Sequence, residues 1–184
     1  MKKIKRALIS VSNKKNLRNL LKILKKFNVE IISSGGTFKE IKRLKFRCIE
    51  VSDYTNFPEI LGGRLKTLHP KIHGGILNIR NNKRHSKDLK KNNFKNIDLV
   101  IVNFYPFEEI IQKTKNHKKI IENIDIGGPT MVRAAAKNYN DVATLTSSDQ
   151  YPNLINQLNK NNGSTSLEFR QKMSQIAFTE TVYY

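Results

Sequence analysis

Two short segments of the chain carry groups that bind phosphate. Residues 10–14 (Ser-Val-Ser-Asn-Lys) offer hydroxyls and an ammonium, and residues 34–37 (Ser-Gly-Gly-Thr) offer backbone N–H groups that the glycines leave open to a close ligand. Either segment alone could be only a turn. Because each follows a predicted strand of an α/β sheet, where ligands bind, the pair predicts a phosphate cradle.

A third segment, residues 62–75, adds cations in a stretch rich in Gly. Arg64 can grip a phosphate with its planar fork, Lys66 supplies a movable positive charge, and Thr67 supplies a hydroxyl. His69 and His73 are four residues apart, but no carboxylate lies between them as in zinc proteases. We therefore expect no metal site, and we expect His69 to be a hydrogen-bonded structural residue.

Candidates for proton transfer follow two further elements. Asn103 and Tyr105 come directly after the most apolar predicted strand, and Asp125 precedes two glycines and a helix that contains Lys137. An Asp and a Lys that converge on one pocket can share proton transfers. The alternatives are that Tyr105 is a packed aromatic residue with a wet hydroxyl, and that Asp125 and Lys137 are separate surface charges. Spacing alone does not choose between them.

The net charge suggests nucleic acid before anything else. In 184 residues, 34 Lys and Arg oppose 15 Asp and Glu, giving a formal charge of +19. However, only 9 of these basic residues are Arg, and paired lysines lie in separate segments at 14–15, 25–26, 90–91 and 118–119. Dispersed Lys is typical of compositional drift, so we expect no nucleic-acid partner, although the charge favours small anionic ligands.

The hydrophobic pattern predicts alternating strands and helices. Strands are predicted at 4–11, 29–33, 48–51, 98–104 and 142–145, and residues 54–75 are predicted to be irregular. Helices are predicted at 15–27 (with Asn13 as cap), 37–44, 83–92, 108–123, 129–137, 149–159 and from 166 onwards. This order indicates an α/β domain with a mainly parallel sheet. No apolar run is long enough for a membrane span or a signal peptide, and a single cysteine cannot form an internal disulfide, so a cytoplasmic protein is expected.

Taken together, the motifs resemble a known family. Residues 10–14, 34–37, 50–77, 103–107 and 125–138 are similar, in order, to the inosinate (IMP) cyclohydrolase domain of the bifunctional purine biosynthesis family. The resemblance implies a methylglyoxal-synthase-like (MGS-like) three-layer α/β fold, with the domain at 1–160. Residues 161–184 would then be a linker and the start of a helix leading to a formyltransferase domain that is absent from this chain.

The implied reaction is the last step of purine synthesis, in which 5-formamidoimidazole-4-carboxamide ribotide (FAICAR) closes to inosine monophosphate with loss of water. The cyclization would need no cofactor, whereas 10-formyltetrahydrofolate would be the co-substrate of the absent domain. A homodimer is expected only for the full-length protein, and neither a membrane nor a nucleic-acid partner is expected. The catalytic residues implied are Lys66, Tyr105, Asp125 and Lys137. The substrate-binding residues implied are Ser12, Lys14, Ser34, Gly36, Thr37, Arg64 and Thr67 for the phosphate, and Asn103, Ile126 and Gly127 for the base.

Three other functions remain open. A methylglyoxal synthase or a ligand-sensing regulatory domain would share the fold and the phosphate cradle, and a nucleic-acid-binding module would use the charge. The long motifs at 62–75 and 125–138 favour ring closure over all three. The departures from the family are small: Asn13 stands where Asp is common, which preserves its ability to cap a helix.

Overall fold

A computed structural model describes residues 1–105 and 107–184 of the chain. The strands are β1 (Lys2–Lys3), β2 (Arg6–Val11), β3 (Glu30–Ser33), β4 (Ile49–Glu50), β5 (Leu99–Asn103), β6 (Ala143–Leu145) and β7 (Ser164–Thr165). The helices are α1 (Leu17–Lys26), α2 (Gly35–Arg43), α3 (Val51–Thr55), α4 (Pro70–Leu77), α5 (Lys83–Lys91), α6 (Phe107–Lys113), α7 (His117–Glu122), α8 (Gly127–Lys137), α9 (Tyr151–Lys160) and α10 (Leu167–Tyr183). Short 3-10 turns lie at Leu61–Gly63 and Ser148–Gln150.

Five of the strands form a parallel sheet in the order β4-β3-β2-β5-β6. In the register, Ala7 of β2 pairs with Ile31 of β3 on one side and with Leu99 of β5 on the other. From β2 the chain adds β3 and β4 on one side of the sheet, and it then adds β5 and β6 on the other side. The order therefore reverses between β2 and β5, and ligands of open α/β sheets bind at the carboxyl end of such a reversal.

Helices cover both faces of this sheet. On one face, apolar side chains of α1 and α9 pack on alternate strand residues such as Ile9 and Ile101. On the other face, α4 and α8 pack on Leu8, Val100 and Val102. Burying each large apolar side chain stabilises the fold by about 1.5–3 kcal/mol. The predicted α/β fold with helices on both faces of a parallel sheet is confirmed.

The predicted elements agree with the structure except in three places. Residues 54–75, predicted to be irregular, include the end of α3 and the start of α4. The predicted helix at 108–123 is two helices, because Asn116 accepts a hydrogen bond from the Lys119 N–H and begins α7 anew. Asn13 does not cap α1; the cap position is Asn16, which has a left-handed φ of 60°. Pro106 lies outside the described residues.

The end of the chain belongs to the packed domain, which corrects the expected linker. Strand β7 pairs antiparallel with β1, and α10 lies against α8 and β6. Phe169 and Met173 of α10 are buried in the core, and Arg170 donates to backbone carbonyls, including that of Tyr139 at 2.8 Å. Residues 161–184 are therefore not a linker here. Among residues 1–105 and 107–184, no helix is long and apolar enough to cross a membrane.

Candidate active site

One cavity, of about 670 Å³, opens at the carboxyl ends of β2, β3 and β5. It lies where the strand order reverses, which is the place expected for a ligand in this kind of sheet. The cavity brings together thirteen of the fourteen site residues predicted from the sequence. These are Ser12, Lys14, Ser34, Gly36, Thr37, Arg64, Lys66, Thr67, Asn103, Tyr105, Asp125, Ile126 and Gly127.

Asn103, at the end of β5, fixes the loop that follows β2. Its Oδ1 accepts hydrogen bonds from the Ser12 N–H at 2.6 Å, the Ser12 hydroxyl at 2.8 Å and the Asn13 N–H at 3.0 Å. Its Nδ2 donates to the Asn13 carbonyl at 3.1 Å. The resemblance implies that Asn103, Ile126 and Gly127 contact the base, partly by backbone. The Asn103 side chain is engaged with the Ser12 loop, which leaves its backbone for such a contact.

The loop after β3 forms one wall of the cavity. Ser34 is extended and Gly35 has a left-handed φ of 54°, so the chain enters α2 with its first N–H groups directed out of the helix end. Thr37, which is buried, accepts a hydrogen bond from the Val11 N–H and donates to the Val11 carbonyl, both at 2.9 Å. This link ties the end of β2 to the first turn of α2.

Two ammonium groups lie beside this helix end. A Cβ added to Gly36 would lie 3.9 Å from the Lys14 Nζ, and one added to Gly35 would lie 4.0 Å from the Lys66 Nζ. A helix N-terminus carries a partial positive charge, which both lysines reinforce. This arrangement suits a phosphate group. The left-handed φ of Gly35 favours glycine there, whereas a Cβ at Gly36 would make only ordinary contact with Lys14.

The segment 60–65 presents Arg64 and Lys66 to the cavity. Ile60 and Leu65 exchange backbone hydrogen bonds at 3.1 and 3.4 Å, and Gly62 and Gly63 have positive φ angles of 64° and 93°. Such angles are readily adopted by glycine, so the Gly-Gly pair allows the tight turn that precedes the two cations.

Two carboxylates that the sequence did not single out face these cations. Glu122 of α7 forms a two-pronged ion pair with Arg64, with contacts of 2.5 and 3.2 Å, and this hydrogen bonding lowers the pKa of Glu122. The Oε2 atom of Glu59 lies 4.0 Å from the Nζ atom of Lys66. Glu59 falls within the long motif at 50–77 and could have been considered there. Glu122 lies in a predicted solvated helix and carries no local signal.

Asp125 lies just before α8, half-buried in the cavity wall. Its Oδ1 accepts a hydrogen bond from the Gly128 N–H at 2.8 Å. Burial raises the pKa of Asp125, and this effect is opposed by the Gly128 hydrogen bond and by the positive charge of Lys66. A carboxylate with a raised pKa, beside a cation and in a ligand cavity, is suited to accept a proton. Exposed Tyr105 lines the same cavity with its phenol.

Lys137 is the one predicted site residue that does not line this cavity. It is exposed at the last position of α8, whereas Asp125 precedes the first. A helix rises 1.5 Å per residue, so the ten steps from Gly127 place Lys137 about 15 Å away along the axis. Lys137 and Asp125 therefore do not converge on this cavity in the single chain, and the catalytic role that the resemblance implies for Lys137 stays a prediction.

The two histidines of the segment 62–75 differ in their surroundings. His69 Nδ1 accepts a hydrogen bond from the Lys71 N–H at 3.1 Å and caps α4, which confirms the structural role expected for it. His73 is partly buried, and burial lowers its pKa. Within residues 1–105 and 107–184, no three His, Cys, Asp or Glu side chains are grouped to hold a metal ion.

Comparison with known proteins places this geometry in a family. The family model described as "MGS-like domain" matches residues 16–130. The chain belongs to the MGS-like domain family. A second model, "AICARFT/IMPCHase bienzyme", matches residues 135–184 of this MGS-like chain.

Curated relatives match along the whole chain. The bifunctional purine biosynthesis protein PurH of Prochlorococcus marinus (strain AS9601) is 49% identical over 97% of the chain, and that of Bradyrhizobium diazoefficiens is 44% identical over 100%. The PurH of Persephonella marina is 48% identical over 98%. The chain spans about a third of the length of these relatives, 34–35%. The resemblance to the bifunctional purine biosynthesis family, predicted from the motifs, is confirmed.

A solved structure also matches closely. The crystal structure of ForH superposes with a TM-score of 0.84 at 27% identity, covering 98% of this chain and 97% of that one. The fold shared by the two chains therefore covers nearly all of this chain, in agreement with the packing of α10.

Proposed function

We propose that this MGS-like chain is an IMP cyclohydrolase, which closes the ring of FAICAR to give inosine monophosphate and water. The observation that carries the proposal is the single cavity that joins a phosphate-binding wall to Asp125, Lys66 and Tyr105. The bienzyme model match and the relatives named as bifunctional purine biosynthesis proteins support the same reaction.

The ribose phosphate would lie against the N-terminus of α2, where the charges of Lys14 and Lys66 converge. Arg64 would bind the phosphate after releasing Glu122. The remaining phosphate contacts would come from Ser12, Ser34, Gly36, Thr37 and Thr67. The base would lie between these loops and the exposed side chain of Ile126, with the backbone of Asn103 and Gly127 beside it.

Ring closure needs a base and a proton donor in succession. The carboxamide nitrogen forms a bond to the formyl carbon and loses one proton, while the formyl oxygen gains one. The resulting hydroxyl then leaves as water, and the former formamide nitrogen loses its proton as the new C=N bond forms. We assign the first proton to Asp125, and the stabilisation and protonation of the oxygen to Tyr105 and Lys66.

Several broader expectations belong to the same proposal. A longer protein would add the formyltransferase step, with 10-formyltetrahydrofolate as co-substrate, and would form the homodimer. The cyclization itself would proceed without a cofactor, in the cytoplasm. The partner of this chain would be a small nucleotide and not a nucleic acid; a weak, non-saturating response to generic RNA at physiological salt would support that distinction.

The direct test is to incubate the chain with FAICAR and follow formation of inosine monophosphate by ultraviolet absorbance. We expect turnover by the wild-type chain and its loss in Asp125→Asn, which keeps the side-chain shape but cannot accept the proton. Glu168→Gln, an exposed change on α10, is the matched control and is expected to behave as wild type. Absence of product with a folded wild-type chain would refute the proposal.

A further inference from the structure

Tyr184, at the end of α10, contacts the loop that carries Asp125, although no sequence motif connected this helix with the site. Its ring packs on that of Phe104, with centroids 4.9 Å apart at an angle of 51°. Its hydroxyl oxygen accepts a hydrogen bond from the Asp125 backbone N–H at 2.7 Å and donates to the Asn123 carbonyl at 3.4 Å. Residue 184 therefore joins the end of β5 to the loop that carries Asp125.

The loop between α7 and α8 has little else to fix it on its outer side. Ile124 and Ile126, which flank Asp125, are 42% and 59% exposed, so their apolar packing is incomplete. The Asp125 carboxylate accepts a hydrogen bond from the Gly128 N–H, and the Asp125 backbone N–H donates to the Tyr184 hydroxyl. The two contacts together restrict both the side chain and the backbone of Asp125.

The Tyr184 hydroxyl must be protonated to make both of its hydrogen bonds. Burial raises the pKa of Tyr184, and the nearby negative charge of Asp125 adds to the effect, while the hydrogen bond from the Asp125 N–H opposes it. The phenol therefore stays protonated at neutral pH. A protonated phenol can accept from the Asp125 N–H and donate to the Asn123 carbonyl at the same time.

We propose that Tyr184 is a positioning residue for the reaction: it holds the backbone of Asp125 so that the carboxylate faces the substrate. The catalytic consequence rests on the proposed function, whereas the contact itself can be tested without any turnover. Tyr184 touches the Asp125 backbone and not the reacting atoms, so its loss should lower kcat and leave KM unchanged.

The test compares Tyr184→Phe with Tyr183→Phe. Both changes remove one hydroxyl from neighbouring tyrosines, but Tyr183 is 86% exposed. Loss of one hydrogen bond predicts that Tyr184→Phe lowers kcat about three- to tenfold, with KM and the Kd for inosine monophosphate within twofold of wild type. Exchange of the Asp125 amide hydrogen, followed by NMR, should accelerate by a similar factor. Tyr183→Phe should change neither, and thermal unfolding should show both variants folded.

Three results would overturn the inference: a kcat for Tyr184→Phe within twofold of wild type, an effect on KM alone, or an equal fall in Tyr183→Phe. If the wild-type chain forms no inosine monophosphate, the proposed function fails. Tyr184 is then judged by amide exchange, where faster exchange at Asp125 in Tyr184→Phe supports the positioning contact and unchanged exchange overturns it.

Discussion

Gly128→Ala should disable the site while leaving the fold intact. A Cβ built on Gly128 would lie 2.9 Å from the carboxyl carbon of Asp125 and closer still to Oδ2. Ordinary contact begins at 3.4 Å, so the carboxyl carbon must move by at least about 0.5 Å and the oxygen by more. That movement also weakens the 2.8 Å hydrogen bond from the Gly128 N–H.

Two opposing effects set the stability of this variant. Loss of a hydrogen bond to a charged group costs about 1.5–3 kcal/mol, whereas replacing Gly by Ala in a helix gains about 0.5–1 kcal/mol. The net loss is about 0.5–2.5 kcal/mol, which lowers Tm by only a few degrees in a chain of this size. Catalysis is more sensitive, because a misplacement near 1 Å can cost about a hundredfold.

The assay is steady-state formation of inosine monophosphate beside thermal unfolding. We expect kcat of Gly128→Ala to fall about a hundredfold, with the chain folded. The control is Gly74→Ala in α4, where the added Cβ meets only the Phe94 ring, at 3.0 Å, far from the proposed chemistry. Turnover of Gly128→Ala within about threefold of wild type would show that the Asp125 carboxylate does not need its present position, and the assigned role would fall.

Three further predictions concern charged residues. Because the pKa of Asp125 is raised, activity that needs its carboxylate should disappear on acidification at a pH above the ordinary pKa of an aspartate. The stability that the protonated carboxyl contributes is present below the ordinary pKa and is lost as the pH rises through the raised pKa. Asp125→Asn should therefore be at least as stable as wild type at pH 7, as measured by thermal unfolding. Glu122→Gln should release Arg64 from its ion pair and lower KM a few fold, whereas Arg64→Ala should raise KM about tenfold. If both variants had the KM of wild type in kinetic assays, the phosphate role of Arg64 would be contradicted. Lys137→Ala should keep kcat within twofold of wild type, because Lys137 lies outside the cavity of its own chain. A tenfold fall in kcat would show that Lys137 acts in an active site through an arrangement that the single chain does not contain.

The sheet was predictable because its strands are short apolar runs bounded by polar turns. Strand β5 is buried throughout Leu99–Val102, and such continuous burial on both faces is the pattern of a parallel strand. The break between α6 and α7 also had a signal in the sequence, because Asn116 is a favoured cap residue. The helical pattern on both sides of Asn116 concealed this signal. The start of α4 at Pro70 was harder to predict, because its N-cap residue is His69 and the favoured N-cap residues are Ser, Thr, Asp and Asn.

Most of the candidate site was predictable for a different reason. Three of its loops follow the ends of β2, β3 and β5, and a parallel sheet brings those ends to one edge whatever lies between them. The segments at 64–67 and 125–127 lie between helices or at a helix start and were found from their motifs instead. Contacts across the chain could not be found in this way. Tyr184 meets Asp125, and Glu122 meets Arg64, over separations that no local pattern encodes. Lys137 was chosen because the motif at 125–138 resembles the family, and in the single chain the length of α8 places it outside the cavity.

The structure also changes what the charge of +19 means for the site. The cavity wall itself contains three basic side chains, Lys14, Arg64 and Lys66, and three acidic ones, Glu59, Glu122 and Asp125. The wall is therefore close to neutral in formal charge, and its cations can be held in place by Glu59 and Glu122 until a phosphate replaces them. The basic excess lies outside the cavity, so it can attract an anionic nucleotide over a distance without distinguishing one from another. In the proposed function, selectivity among nucleotides must then come from the contacts with the base, at Ile126 and the backbone of Asn103 and Gly127, and not from the net charge.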